Sequence, residues 1–162
     1  MIPLTVRSNY SLMWGTASIR AVCRTARQRG YDCLALTDTD NLYGLWHFLD
    51  ACRQNDLRPI VGAELTDPTT TDRAVLMVKN SDGYKNLCRI ITARHLHPDF
   101  NLVDGVNRYN DGLAALTRNP YHLTQWHESG VSVYGALPRK PLPLSNKLCQ
   151  TAKHGNIPLV AT

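Results

Sequence analysis

The sequence lacks the features that mark membrane, disulfide-rich and P-loop proteins. No apolar run approaches the length of a membrane span, and the N-terminal stretch MIPLTVRSNY has no signal-peptide core. The five cysteines are scattered without a Cys-x-x-Cys pair, which argues against structural zinc and favours a reducing, cytoplasmic location. No Gly-x-Ser-x-Gly motif and no glycine-rich phosphate loop occur. We therefore expect neither a serine hydrolase of that type nor a P-loop nucleotide site.

The composition is typical of a globular protein. The chain has 162 residues, of which 43% are hydrophobic and 19% are charged, so it is long enough to bury a core. Eighteen Lys and Arg against thirteen Asp and Glu give a net charge of +5, which suits a polyanionic partner without requiring one. We expect a single domain over residues 1–162.

Apolar periodicity alternates along the chain between the patterns of strands and helices. Strands are predicted at 2–6, 33–36, 59–65, 73–79, 112–117, 131–136 and 157–161, and helices at 19–29, 42–54, 84–95, 120–129 and 144–154. The stretch 97–110 is predicted to be a loop, and the proline-rich stretch 137–144 an extended link. This alternation predicts an α/β fold with a largely parallel sheet or an open barrel.

The stretch from Cys33 to Gly44, CLALTDTDNLYG, places carboxylates after a short buried strand. The polar residues Thr37 to Asn41 are typical of a turn and of a helix cap, so Asp38 and Asp40 are expected in a turn before a helix that starts at Leu42. Loops at the C-terminal ends of parallel strands converge on one crevice in α/β proteins. The stretch therefore predicts the position of a metal or phosphate site.

Three ordered blocks resemble the PHP (polymerase and histidinol phosphatase) domain, in the version found at the N-terminus of bacterial C-family DNA polymerases, the DNA polymerase III alpha subunits and their error-prone relatives. The blocks are LTVRSNYS at 4–11, ALTDTDNLYG at 35–44 and PIVGAEL at 59–65. GYKNLCRIIT at 83–92 and PLVAT at 158–162 resemble later segments of the same polymerases. The resemblance implies an incomplete, distorted TIM-like barrel with its site at the C-terminal mouth, where active members hold a trinuclear metal cluster.

Seven positions of this sequence correspond to that family site: Thr5, Arg7, Trp14, Asp38, Thr39, Asp40 and Glu64. The three carboxylates match the family pattern, but the remaining four residues stand where it has histidines or, at Trp14, an Asp or His. A threonine hydroxyl is a weak, neutral metal ligand, an indole side chain does not act as a metal ligand, and a guanidinium repels a metal cation. We therefore expect no catalytic residue, no cofactor and no metal in this domain.

Arg7 is predicted to replace the missing cation. It lies on the same strand face as Thr5, so its guanidinium is expected to pair with Glu64 or Asp38, because a buried unpaired carboxylate is costly. Trp14 would then fill the volume that metals and water occupy in active members. In the alternative interpretation, Arg7 points to solvent and Trp14 is an ordinary surface or core residue.

The six histidines offer no convincing ligand set. His95 and His97 form a His-x-His at a predicted helix end without a carboxylate motif, and His122 and His127 stand five residues apart, a poor ligand spacing. Surface or capping positions are expected for all six.

Three functions stay open. In the first, the chain is an inactive N-terminal PHP-like domain of a longer DNA polymerase used in replication or error-prone repair, with structural and interaction roles. Its partners would be the remaining polymerase domains, possible proofreading or replication subunits, and DNA through the parent, but no membrane. The second is a metal-dependent phosphoesterase or 3'–5' exonuclease with unorthodox ligands, which alone would need Zn or Mn. The third is a stand-alone module in which Arg7 binds an anion.

The family continues past its Val-Ala-Thr strand with an Asp-x-His motif, whereas this sequence stops at Thr162. We therefore expect a fragment of a longer chain. Such a piece would leave a sheet edge uncovered, so it is expected to self-associate.

Overall fold

The structure, a computed structural model, describes residues 2–138, 140 and 144–162. The chain divides into two compact units, residues 1–64 and 65–162. The single domain over residues 1–162 stays a prediction.

The first unit combines two helices with a pair of parallel strands. Its elements are α1 (Ile19–Gln28), β1 (Cys33–Thr39), α2 (Leu45–Gln54) and β2 (Arg58–Thr66), of which the last two residues belong to the second unit. The register of the two strands runs from Cys33 opposite Arg58 to Thr39 opposite Glu64. Because parallel strands end at the same edge, this register brings Asp38, Thr39 and Glu64 together.

Helices α1 and α2 enclose the core of this unit. Ser18 caps α1, its hydroxyl accepting a hydrogen bond from the Ala21 N–H. On α2 the buried residues are Phe48, Ala51 and Cys52, whereas Leu45 and Leu49 are only half-buried. The core consists of Ile19, Cys23, Ala26, Leu34, Leu36, Phe48, Ala51, Cys52 and Leu57.

The predicted first strand at 2–6 is not a strand in the structure. It runs beside β1, where Ala35 N–H donates to the Pro3 carbonyl at 3.1 Å and Thr37 N–H to the Val6 carbonyl at 2.8 Å. Pro3 has no N–H with which to donate a hydrogen bond back to β1, and the Val6 N–H donates to the Thr37 hydroxyl instead of to a carbonyl. The reciprocal bonds of a strand ladder are therefore missing.

The turn predicted at Thr37 to Asn41 begins later than expected. Strand β1 continues through Thr39, and the chain turns at Asp40, which has a φ of 54°. Helix α2 starts at Leu45 with Gly44 as its N-cap and no side-chain capping bond. The expectation that the polar residues Thr37 to Asn41 supply the helix cap is therefore wrong.

The second unit contains the remaining elements, which again alternate. They are β3 (Arg73–Val78), α3 (Ser81–Leu96), α4 (Leu102–Arg108), β4 (Leu113–Thr117), α5 (Pro120–Glu128), β5 (Val133–Leu137), α6 (Ser145–His154) and β6 (Leu159–Ala161). Strands β4 and β5, and β5 and β6, pair in parallel, while β3 pairs with β4 antiparallel. The α/β class is confirmed, with β3 as an antiparallel exception to the largely parallel prediction.

Helix α4 occupies a stretch that was predicted to be a loop. Asn101 caps the helix by accepting a hydrogen bond from the Asp104 N–H, and Leu102 and Val106 are buried. Gly105 lies inside the helix, where a Cβ would come within 2.6 Å of the Phe100 ring. Close packing against Phe100 thus explains the glycine inside this helix. Of the predicted extended link at 137–144, residues 139 and 141–143 lie outside the described residues.

Candidate functional site

The candidate site lies in the first unit, at the C-terminal ends of β1 and β2. Glu64 is almost fully buried, with 8% of its side chain exposed. The Arg7 guanidinium donates two hydrogen bonds to the Glu64 carboxylate, from Nε to Oε2 at 3.1 Å and from Nη2 to Oε1. The Thr39 hydroxyl donates a third bond to Oε2 at 3.2 Å. A charge-assisted, bidentate pair of this kind fixes the orientation of both side chains and neutralises the charge of the carboxylate.

Trp14 does not fill an interior volume as predicted. Its side chain is 60% exposed, and its ring centroid lies 5.5 Å from the guanidinium carbon of Arg7. At this distance the ring face attracts the cation. Trp14 thus flanks the Arg7–Glu64 pair from the solvent side.

Asp38 binds two serines and not Arg7. Its side chain is buried, and Oδ1 accepts hydrogen bonds from the Ser8 N–H at 2.7 Å and the Ser11 hydroxyl at 2.6 Å. Oδ2 accepts a bond from the Ser8 hydroxyl at 2.7 Å. Ser11 also accepts a bond from the Thr39 N–H at 3.0 Å. Sequence reasoning missed both serines, although their place in the loop after the first predicted strand put them near the expected site.

Of the seven positions, Thr5 and Asp40 differ in their contacts. Thr5 is exposed and makes no side-chain hydrogen bond with any residue that the structure describes. Asp40 holds the turn after β1, since its N–H donates to the Glu64 carbonyl at 2.8 Å. The backbone of the turn is therefore tied to the end of β2.

This donor set does not fit a multinuclear metal site. The Glu64 carboxylate is bound by a guanidinium, and the Asp38 carboxylate is bound by three hydrogen bonds from serines. Across residues 2–138, 140 and 144–162, no group of three or more His, Cys, Asp or Glu residues is placed to hold a metal ion. A catalytic metal needs several such ligands and an open position for water or substrate.

His122 in the second unit contradicts its predicted surface or capping position. Only 4% of it is exposed, its Nε2 lies 3.4 Å from Asp72 Oδ2, and its Nδ1 is buried without a hydrogen-bond partner among the described residues. Burial lowers the pKa of His122, an effect opposed by the negative charges of Asp72 and Asp67. The other five histidines are exposed, as predicted: His47, His95, His97, His127 and His154.

Asp67 is a buried carboxylate whose negative charge also acts on this histidine. Burial raises the pKa of Asp67, but hydrogen bonds from the Leu102 N–H, from the hydroxyl and N–H of Thr69 and from the Thr70 N–H outweigh that effect and hold the pKa below its usual range. Asp67 is therefore ionised and ties the start of α4 to the loop after β2.

The fold and the arrangement of polar side chains at the ends of β1 and β2 are those of a PHP-type domain. The chain belongs to the PHP domain family, since the family model described as PHP domain matches residues 3–154. Among curated relatives, the DNA polymerase III subunit alpha of Treponema pallidum is 35% identical over 99 residues, covering 53% of this chain and 8% of that protein. The subunit from Streptococcus pyogenes is 34% identical over 103 residues, covering 60% of this chain and 10% of that protein.

Solved structures with low sequence identity share the fold. An amidohydrolase from Chromobacterium violaceum matches with a TM-score of 0.70 at 14% identity, over 98% of this chain and 84% of that one. A protein from Bifidobacterium adolescentis, described as a metal-dependent phosphoesterase, matches with a TM-score of 0.68 at 11% identity, over 99% of this chain and 85% of that one. The predicted fold class, the PHP-type distorted TIM-like barrel, is confirmed by these likenesses.

The described part of the chain contains no helix with the length and apolar content that crossing a membrane requires.

Proposed function

We propose that this chain is a PHP domain of a DNA polymerase III alpha-type protein that performs no metal-dependent hydrolysis and serves as a structural and interaction domain. The observation that carries the proposal is the bidentate bond between Arg7 and Glu64. A fixed guanidinium on the one glutamate that matches the family site supplies the positive charge that a metal would otherwise bring. A metal ion near Glu64 would be repelled by Arg7 and would have to displace it.

The comparison with the curated relatives supports a role within a longer polymerase. The chain spans about a tenth of their length. DNA synthesis would be performed by other parts of such a polymerase, in the cytoplasm. The partners of this domain would be those other parts, with proofreading or replication subunits and DNA reached through the parent. Self-association of the isolated chain stays a prediction.

Two other functions have less support. A metal-dependent phosphoesterase or exonuclease is suggested by the description of one structural neighbour, but it would need ligands that the described residues do not group together. A stand-alone anion-binding module would need a free Arg7, whereas this guanidinium is already bound to Glu64.

Metal analysis of the purified chain tests the proposal. We expect far less than one Zn or Mn per chain after exposure to either ion and gel filtration, and no hydrolysis of bis-p-nitrophenyl phosphate. The variant T5H/R7H/T39H, which restores histidines at the three positions, serves as the comparison for metal uptake. Stoichiometric metal in the unmodified chain, together with hydrolysis that Glu64→Gln abolishes, would overturn the proposal.

A further inference from the structure

Two arginines of the second unit lie against one tyrosine ring. The guanidinium carbon of Arg89, on α3, is 5.9 Å from the ring centroid of Tyr109, and that of Arg108, the last residue of α4, is 5.3 Å from it. Both arginines are exposed and Tyr109 is half-buried. We call these three residues the Arg–Tyr–Arg cluster.

Neither arginine of the cluster forms an ion pair with a carboxylate in the part of the chain that the structure describes. Arg89 Nη1 donates instead to the neutral amide oxygen of Asn86, at 3.0 Å. By contrast, Arg27 on α1 contacts two aspartates. Two like charges held on one ring, with no ion-pairing carboxylate among the described residues, create a local positive potential that attracts an anion.

A buried amide holds the cluster in place. Asn86 is buried, and its Nδ2 donates to the Asp111 carbonyl at 2.9 Å, which ties the turn after α4 to α3. The two segments approach closely, since a Cβ at Gly83 would lie 1.9 Å from the Gly112 carbonyl oxygen. Arg89 is thus oriented by a buried side chain and by a ring, which reduces the entropy that it loses on binding a ligand.

We propose that the Arg–Tyr–Arg cluster binds the phosphodiester backbone of single-stranded nucleic acid. Guanidinium groups form bidentate hydrogen bonds with phosphate oxygens, and their planes stack on unpaired bases. The Tyr109 ring keeps both planes oriented and adds aromatic surface for stacking. This combination of charge and flat surface suits a strand with exposed bases. The inference stands on this cluster and does not depend on the proposed function.

Fluorescence anisotropy with a labelled oligothymidylate, measured at several salt concentrations, tests the inference. We expect the variant R89Q/R108Q to bind about tenfold more weakly and to show a salt slope smaller by about 1.4, because each phosphate contact on a single strand contributes about 0.7 to the slope. The variant R20Q/R24Q removes the same charge from the exposed face of α1 and should retain both affinity and slope. Tyr109→Leu should weaken binding with little change in slope.

Three results would overturn the inference. The first is that the unmodified chain does not bind the oligothymidylate. The second is that R20Q/R24Q weakens binding as much as R89Q/R108Q does, which would mean that only net charge matters. The third is that inorganic phosphate competes as strongly as unlabelled oligothymidylate. Melting temperatures of all variants are measured in parallel. The Arg108 side chain makes no hydrogen bond among the described residues. The single variant R108Q therefore loses no side-chain hydrogen bond and provides the test if the double variant is unstable.

Discussion

Arg7 and Glu64, separated by 57 positions in sequence, are joined by a bidentate ion pair at the end of β2. Glu64 is buried, while the Arg7 side chain is 34% exposed and faces the Trp14 ring. The pair links the N-terminal segment to β2 at a position that the resemblance to the PHP family predicts to lie in the metal site. The contribution of this pair to the free energy of unfolding can be measured directly.

A double-mutant cycle of Arg7→Met and Glu64→Gln should reveal coupling between the two side chains. Arg7→Met alone leaves a buried carboxylate without its cation and should lower the free energy of unfolding by about 1–2 kcal/mol, less than for a fully buried pair because Arg7 is partly exposed. Adding Glu64→Gln should recover part of that loss. Urea unfolding gives the values, and simple additivity of the two changes would show that the pair contributes no coupling.

Asp38→Asn should destabilise the first unit although the side chains are nearly the same size. The carboxylate accepts three hydrogen bonds from Ser8 and Ser11, and an amide turns its NH2 toward at least one of these donors. We expect a loss of about 2–3 kcal/mol in the free energy of unfolding. Asp32→Asn, at a side chain that is 89% exposed, is the matched control and should change stability by less than about 0.5 kcal/mol. Equal effects of the two changes would contradict the assigned role of Asp38.

His122 should make stability fall as the pH decreases. Its pKa is lowered in the folded state from an ordinary value of 6.5, so the unfolded chain binds the proton first. The contribution of neutral His122 to the free energy of unfolding is fully present above pH 6.5. It is lost as the pH falls from there through the folded-state pKa, by up to about 1.4 kcal/mol per pH unit. The acidic groups facing His122, Asp72 and Asp67, reduce the effect without reversing it.

Urea unfolding at a series of pH values tests this prediction. His122→Gln should flatten the dependence of stability on pH in this range, whereas His127→Gln, at an exposed position of the same helix, should leave it unchanged. A pH dependence that persists in His122→Gln would assign the effect to other groups.

Sequence reasoning succeeded where the relevant signal was local. The alternation of apolar patterns predicted the α/β class, and charge chemistry at a family position indicated that Arg7 needs a carboxylate nearby. It failed for α4 because Gly105 resembles a loop residue, and only its contact with Phe100 explains the glycine. It failed for His122 because the composition of α5 does not reveal that this histidine is buried beside Asp72.

The sequence by itself indicated the family, the α/β alternation with most of its strands and helices, and the presence of Thr5, Arg7 and Thr39 where the family resemblance implies histidines, since each is a property of residue identity and short-range pattern. Only the tertiary structure decided that Arg7 binds Glu64 while two serines satisfy Asp38, that Trp14 stays on the surface, and that two arginines share the Tyr109 ring. These contacts join residues up to 57 positions apart. Their geometry depends on strand register and on the direction of each side chain, which the pattern along one chain does not specify.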